Sequence, residues 1–273
     1  MARYKLYLFG TPRLERDEQP VPIKRRKAFA LLAYLAHTSQ PQSREYLATL
    51  LWPEATHASA LANLRRMLSH LKSNAGDELL HVDRQQVALA PELNLWSDVA
   101  RFDELMDAVR THDHYPNPPC PQCVEHLREV VTLYRDHFLE GFNFSDTPEL
   151  AEWTFFERHS LRLAFGGALQ QLIHASKSQR QWDEAVAYGR HWVALDPLHE
   201  PAQRELMELY AYAGQQPFAL RQYEEYVRLL DEQLGMAPLP DLTSLYEAIR
   251  SRRFPAVVTP GDSTPQAQQA QAN

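Results

Sequence analysis

Residues Ser43 to Lys72, SREYLATLLWPEATHASALANLRRMLSHLK, constrain the fold more than any other stretch of the chain. Ser43 is placed as an N-cap, with Leu47, Leu50 and Leu51 turned inward along one helix. Trp52 and Pro53 close that helix. A second, longer helix then carries Leu61, Leu64, Leu68 and Leu71 as one apolar stripe at helical spacing. Two helices joined by so tight a turn predict a helix-turn-helix. Alternating runs stand on both sides of it, Tyr4 to Ile23 ahead and Leu79 to Ala90 behind, and both predict short strands. A helix-turn-helix between a small sheet and a hairpin is a winged helix, a unit that commonly binds DNA.

On the face opposite the apolar stripe lie Ser59, Asn63, Arg66 and His70. Arg66 and Asn63 are the residues whose side chains match guanine O6/N7 and adenine N6/N7, with Ser59 and His70 as lesser base-reading candidates. Arg65 and Lys72 flank the stripe, and Arg84 sits at the polar tip of the hairpin. Lys24, Arg25 and Lys27 cluster at the start of the first helix, where positive charge opposes the helix dipole and is poorly explained as helix stabilisation. These six are the expected phosphate contacts.

The net charge of -7 runs against a DNA-binding reading until it is divided along the chain. Residues 1–97 hold 13 Lys and Arg against 9 Asp and Glu, a balance of +4. Residues 98–273 hold 15 against 26, a balance of -11. Only the front part is suited to phosphate, with the field decaying over roughly 8 to 10 Å at physiological salt.

Behind Trp96 the pattern becomes almost purely helical. Helices are predicted over Asp98 to Arg110, Gln122 to Phe138 and Glu149 to Lys177. From Leu172 a 34-residue repeat matches Leu172 with Leu206 and Ala185 with Ala219, with Gly214 at the expected turn. Thirty-four is the tetratricopeptide period. The fold class expected is therefore mainly α with a small β component: a winged helix-turn-helix over 1–97, then an all-α tetratricopeptide-like domain over 98–253. Residues 254–273, rich in Pro, Gln and Ala, form a disordered tail or linker.

Enzymatic signatures are missing. The chain has no G-x-x-x-x-G-K, G-x-S-x-G, H-E-x-x-H or G-x-G-x-x-G, and the S-x-x-K at Ser69 to Lys72 falls on the recognition helix. Cys120 and Cys123 form one C-x-x-C, a legal zinc half-site if His112, His114 or His126 completes it; an ordinary loop with two incidental thiols is the plainer reading. No cofactor is expected, zinc being the alternative. With no apolar run of about 20 residues and no secretory signal, the expected location is the cytoplasm.

Taken together, Lys27 to Leu35 (KAFALLAYL), Ser43 to Trp52 (SREYLATLLW), Ala60 to Leu71, Asp98 to Phe102 (DVARF), Phe138 to Phe142 (FLEGF) and Asp196 to Glu200 (DPLHE) resemble the Streptomyces antibiotic regulatory proteins. In that family a winged helix is followed by a bacterial transcriptional activation domain. The resemblance implies a promoter-binding activator that occupies direct repeats, often as two copies, and recruits RNA polymerase through the loop before the recognition helix, here Trp52, Glu54 and His57. The Cys120, Cys123 loop is a departure from the family pattern. Two alternatives differ in class: a protein-interaction scaffold worked by the helical part, and a sensor of a small molecule or zinc with the winged helix as its output.

Overall fold

The computed structural model describes residues 2–112 and 119–254. The tail expectation for residues 255–273, and His114, lie outside the described residues. The chain forms two compact units that divide after Leu172.

The first unit opens with β1 (Arg3–Tyr7), β2 (Arg13–Arg16) and β3 (Gln19–Pro20), paired antiparallel in succession. Tyr4, Leu6 and Leu8 are buried, as their alternation predicts. α1 (Arg26–Thr38) follows, then β4 (Gln42–Ser43), α2 (Arg44–Leu51) and α3 (His57–Ala75). Ser43 is the N-cap of α2, its Oγ accepting the Tyr46 N–H at 3.4 Å. Thr56 caps α3 in the same way through the Ser59 N–H. The hairpin of β5 (Leu80–Val82) and β6 (Gln86–Leu89) is the wing, and β4 pairs with β6 to complete its sheet. β7 (Asn94–Ser97) returns to the first sheet and pairs parallel with β1, giving the order β3-β2-β1-β7. A parallel partner separated by some 90 residues leaves no local trace in the sequence.

α4 (Asp98–Arg110) starts directly from β7, and α5 (Pro121–Leu133) packs along it. The prediction that α5 runs to Phe138 is corrected: it stops at Leu133, because the following residues pair with the front sheet instead. Phe138 bridges Phe9, Leu139 donates its N–H to Leu8 O at 2.8 Å, and Gly10 donates to His137 O at 3.0 Å. Leu139 takes a left-handed φ of 51°, uncommon for a leucine, at a fully buried position. The carbonyls freed by this irregular path are taken up by Arg158, which donates to Phe138 O, Leu139 O and Phe142 O.

α6 (Pro148–Ser178) is followed in the second unit by α7 (Trp182–Leu195), α8 (Glu200–Tyr212), α9 (Gln216–Leu234) and α10 (Pro240–Arg250), with α8 packed on α7, α9 on α8 and α10 on α9. Ala185 and Ala219, equivalent in the 34-residue repeat, are both fully buried, and Gly214 turns the chain with a φ of 72°. Gly189 permits a close helix approach: a Cβ there would meet Leu209 Cδ1 at 3.0 Å and Leu206 Cδ1 at 3.1 Å. Among the described residues, no helix is long and apolar enough to cross a membrane.

Candidate nucleic-acid interface

The orientation of α3 follows from what it buries. Ala60, Leu64, Met67, Leu68, Leu71 and Ala75 are its buried residues, and at 100° per residue they lie within about 60° of Leu64. Met67 joins the stripe read from the sequence, while Leu61 is only half-buried. Ala62, Arg66, Ser69 and Ser73 then point outward. Arg65 falls about 100° to one side and Asn63 about 100° to the other.

The Arg65 side faces the wing. A groove there is lined by Ser43, Arg44, Glu45, Leu61 and Arg65 on one wall and by Val82 to Gln86 on the other. It continues past Leu68, Ser69, Lys72, Ser73 and Asp77. The wing tip is held in one shape by Asp83, whose carboxylate accepts the N–H of Gln85 at 2.7 Å and of Gln86 at 2.6 Å. The Gln86 and Gln85 N–H groups hold that carboxyl below its ordinary range. Arg84 is thereby exposed at the head of a fixed turn.

Arg44 carries no sequence signal strong enough to single it out. Its backbone N–H donates to Gln85 O at 2.8 Å and its Nη1 to Asp83 O at 3.1 Å, so it ties the start of α2 to the wing while lining both parts of the groove. The local hint is a basic residue directly after an N-cap. Ser69, in the same groove, escapes the sequence pattern because a serine on a helix face is common.

Among the described residues, Lys24, Arg25, Arg65, Lys72 and Arg84 form no ion pair. Lys24 and Arg25 precede α1 and are exposed, as is Arg26 beside them. Lys27 departs from the expected phosphate set. Its Nζ donates to Leu51 O at 2.6 Å, at the end of α2, and meets Asp146 Oδ2 at 2.7 Å. The bond from Lys27 holds the Asp146 carboxyl below its usual range. The side chain is 21% exposed, so its charge is spent inside the protein. Lys27→Ala is expected to lower stability by about 1 to 2 kcal/mol, the worth of a charge-assisted bond and an orphaned carbonyl, and to leave the salt slope of DNA binding unchanged. Thermal melts and a salt titration of the same variant check both halves.

The proposed base readers are not independent. Arg66 Nη2 donates to Asn63 Oδ1 at 2.6 Å, one turn apart on the helix. A bidentate match to adenine needs that same oxygen as acceptor, so Asn63 as placed braces Arg66 while the guanidinium keeps its other donors. Both ring nitrogens of His70 lie 3.1 Å from Asn74 Nδ2, and the residue is half-buried. Ser59 is exposed and accepts from Thr56 Oγ1 at 2.9 Å. In the turn before α3, Trp52 is half-buried with Lys27 Nζ 5.5 Å from its ring centroid, and Glu54 and His57 are exposed. Away from this surface, Cys120 is the N-cap of α5, Cys123 is buried in its first turn, and His112 follows the end of α4.

The model of the bacterial transcriptional activator domain family matches residues 97–250, more than half of the chain. The chain belongs to that family. The match begins where β7 passes into α4, so the winged helix precedes it, and a winged helix followed by this domain is the architecture of a regulator of the Streptomyces antibiotic regulatory type. Among solved structures, Mycobacterium tuberculosis EmbR in complex with a low-affinity phosphopeptide is similar, with a TM-score of 0.68 and 23% identity. The likeness covers 93% of this chain and 66% of that one, and at such identity it concerns the fold. No curated protein matches the chain significantly. Family and fold are thus those of transcription regulators rather than enzymes.

Proposed function

We propose that this regulator binds double-stranded promoter DNA sequence-specifically and activates transcription there. The observation that carries the reading is the set of cations Arg65, Lys72 and Arg84, without an ion pair among the described residues, which with Arg44 border the groove between α3 and the wing. α3 enters the major groove, and small residues at its outward side, Ala62, Ser69 and Ser73, permit close approach to the bases. Arg66 reads a base from its brace on Asn63, with Ser59 and His70 at the margins. Lys24 and Arg25 join Arg44, Arg65, Lys72 and Arg84 on phosphates. The turn from Trp52 to His57, exposed through Glu54 and His57, is the surface offered to RNA polymerase, and two copies occupy a direct repeat.

Selection of genomic fragments by the purified protein, at low and moderate salt, tests the reading. A direct repeat should emerge. Arg66→Ala should weaken binding to it by about 1 to 3 kcal/mol and relax one base position. An equal loss on cognate and random DNA removes Arg66 from the base-reading role.

A scaffold role has one observation in its favour: Phe155, Phe156 and Leu163 on α6 are 66%, 60% and 61% exposed, an apolar surface suited to protein contact. Salt separates the two readings, because DNA binding falls steeply with log salt whereas apolar association does not.

A further inference from the structure

We propose that His112, Cys120 and Cys123 form a zinc-binding site that fastens the end of α4 to the start of α5. One imidazole nitrogen and two sulfurs, supplied from either side of the connection between the helices, all lie within 4.8 Å of one another. In a tetrahedral zinc site, with metal–sulfur bonds of about 2.3 Å and metal–nitrogen bonds of about 2.0 Å, neighbouring donors stand roughly 3.5 to 3.8 Å apart. The separations exceed that spacing by about 1 Å at most. His112 is exposed and Cys120 half-buried, while Cys123 is buried in the packing at the start of α5.

The donor set selects the metal. Two thiolates and an imidazole suit zinc and are poor ligands for magnesium or calcium, which take oxygen. Further along α5, three residues beyond Cys123 and so on the same side of the helix, His126 has a buried Nδ1 with no hydrogen-bond partner among the described residues. Its nitrogens lie outside the cluster of three, so the fourth position of the proposed site falls to water or to a movement of His126. A plain Cys120–Cys123 disulfide would use the C-x-x-C alone, would not account for the imidazole beside it, and would need an oxidant. The site lies at the end of α4 remote from Asp98, where that helix joins the front sheet, so a bound ion would hold the helix pair at its free end.

The test uses the full chain, purified without chelators, with metal content measured and zinc then exchanged for cobalt(II). The expected result is one zinc per chain and, with cobalt, a thiolate-to-metal charge-transfer band accompanied by the visible bands of tetrahedral coordination. Competition against a chromophoric chelator should show Cys120→Ser and His112→Ala each weakening zinc binding at least about 100-fold. Neither residue is in the core, so folding, followed by circular dichroism, should survive both changes. Cobalt bound without a thiolate band overturns the site, as does His112→Ala binding zinc as tightly as the parent. A Cys120–Cys123 disulfide whose reduction yields no zinc uptake overturns it as well.

Discussion

Neutralising Arg65, Lys72 and Arg84 together should lower the salt slope of DNA binding by about 2.7 units, at roughly 0.9 unit for each phosphate no longer neutralised. Between 50 and 200 mM salt the affinity of the parent protein should then fall about 40-fold further than that of the triple variant, the fourfold change in salt raised to that power. The three are suited to this experiment because none holds an ion pair among the described residues, so their removal leaves no orphaned carboxylate. All three changes are at exposed or half-buried positions, and stability should stay nearly constant. The effect should be shared by cognate and random sequences alike, in contrast to Arg66→Ala, since phosphate contacts carry no sequence information. A triple variant with the parent's salt slope would place the DNA-binding surface elsewhere than the groove between α3 and the wing.

The second large effect is expected at Asp98→Ala. The Asp98 carboxylate is 1% exposed and accepts the N–H of Leu8 at 2.8 Å and of Phe9 at 3.1 Å, joining the end of the first strand to the start of α4. Arg135 reaches it from the segment after α5 at 3.3 Å. Burial pushes this carboxyl above its ordinary range, although the N–H donors of Leu8, Phe9 and Val99 and the Arg135 guanidinium pull it back. Truncation leaves three buried N–H groups, those of Leu8, Phe9 and Val99, without this partner, at about 1 to 3 kcal/mol each, so a loss of roughly 3 kcal/mol or more follows. For a unit of this size that corresponds to a melting temperature lower by roughly 5 to 15 °C. Unchanged melting would mean that water replaces the carboxylate at Leu8 and Phe9. An exposed carboxylate such as Glu54, changed to Ala in parallel, should have little effect.

These two sites differ in how far the sequence exposes them. Arg65, Lys72 and Arg84 are legible because helical and hairpin periodicity place them relative to an apolar stripe, and periodicity is local. The same holds for α2 and α4, whose first residues coincide with the predicted starts, for the Ser43 cap, and for the 34-residue spacing that buries Ala185 and Ala219. Asp98 is visible in the sequence only as the first residue of a helix, where an acidic side chain is ordinary. Two of its partners, Leu8 and Phe9, stand some 90 residues away, and nothing near Asp98 in the chain predicts them.

Lys27 and Arg44 show the same limit from opposite directions. Both are basic residues near the start of a helix, and by composition either could face phosphate. The fold turns Lys27 onto the end of α2 and Asp146, and turns Arg44 into the groove beside the wing. Asn63 and Arg66 lie away from the apolar stripe of α3 as periodicity predicts, yet only the folded structure reveals that one occupies the acceptor the other would need. The sequence by itself determined the kinds of element, their order and the polar side of α3, because hydrophobic period, capping and charge act over a few residues. Tertiary structure alone decided that Phe138 leaves its helix to meet Phe9, that β7 pairs with β1, and which cations stay unpaired. Those outcomes depend on which distant groups compete for each hydrogen bond and charge, and that competition exists only once the chain has folded.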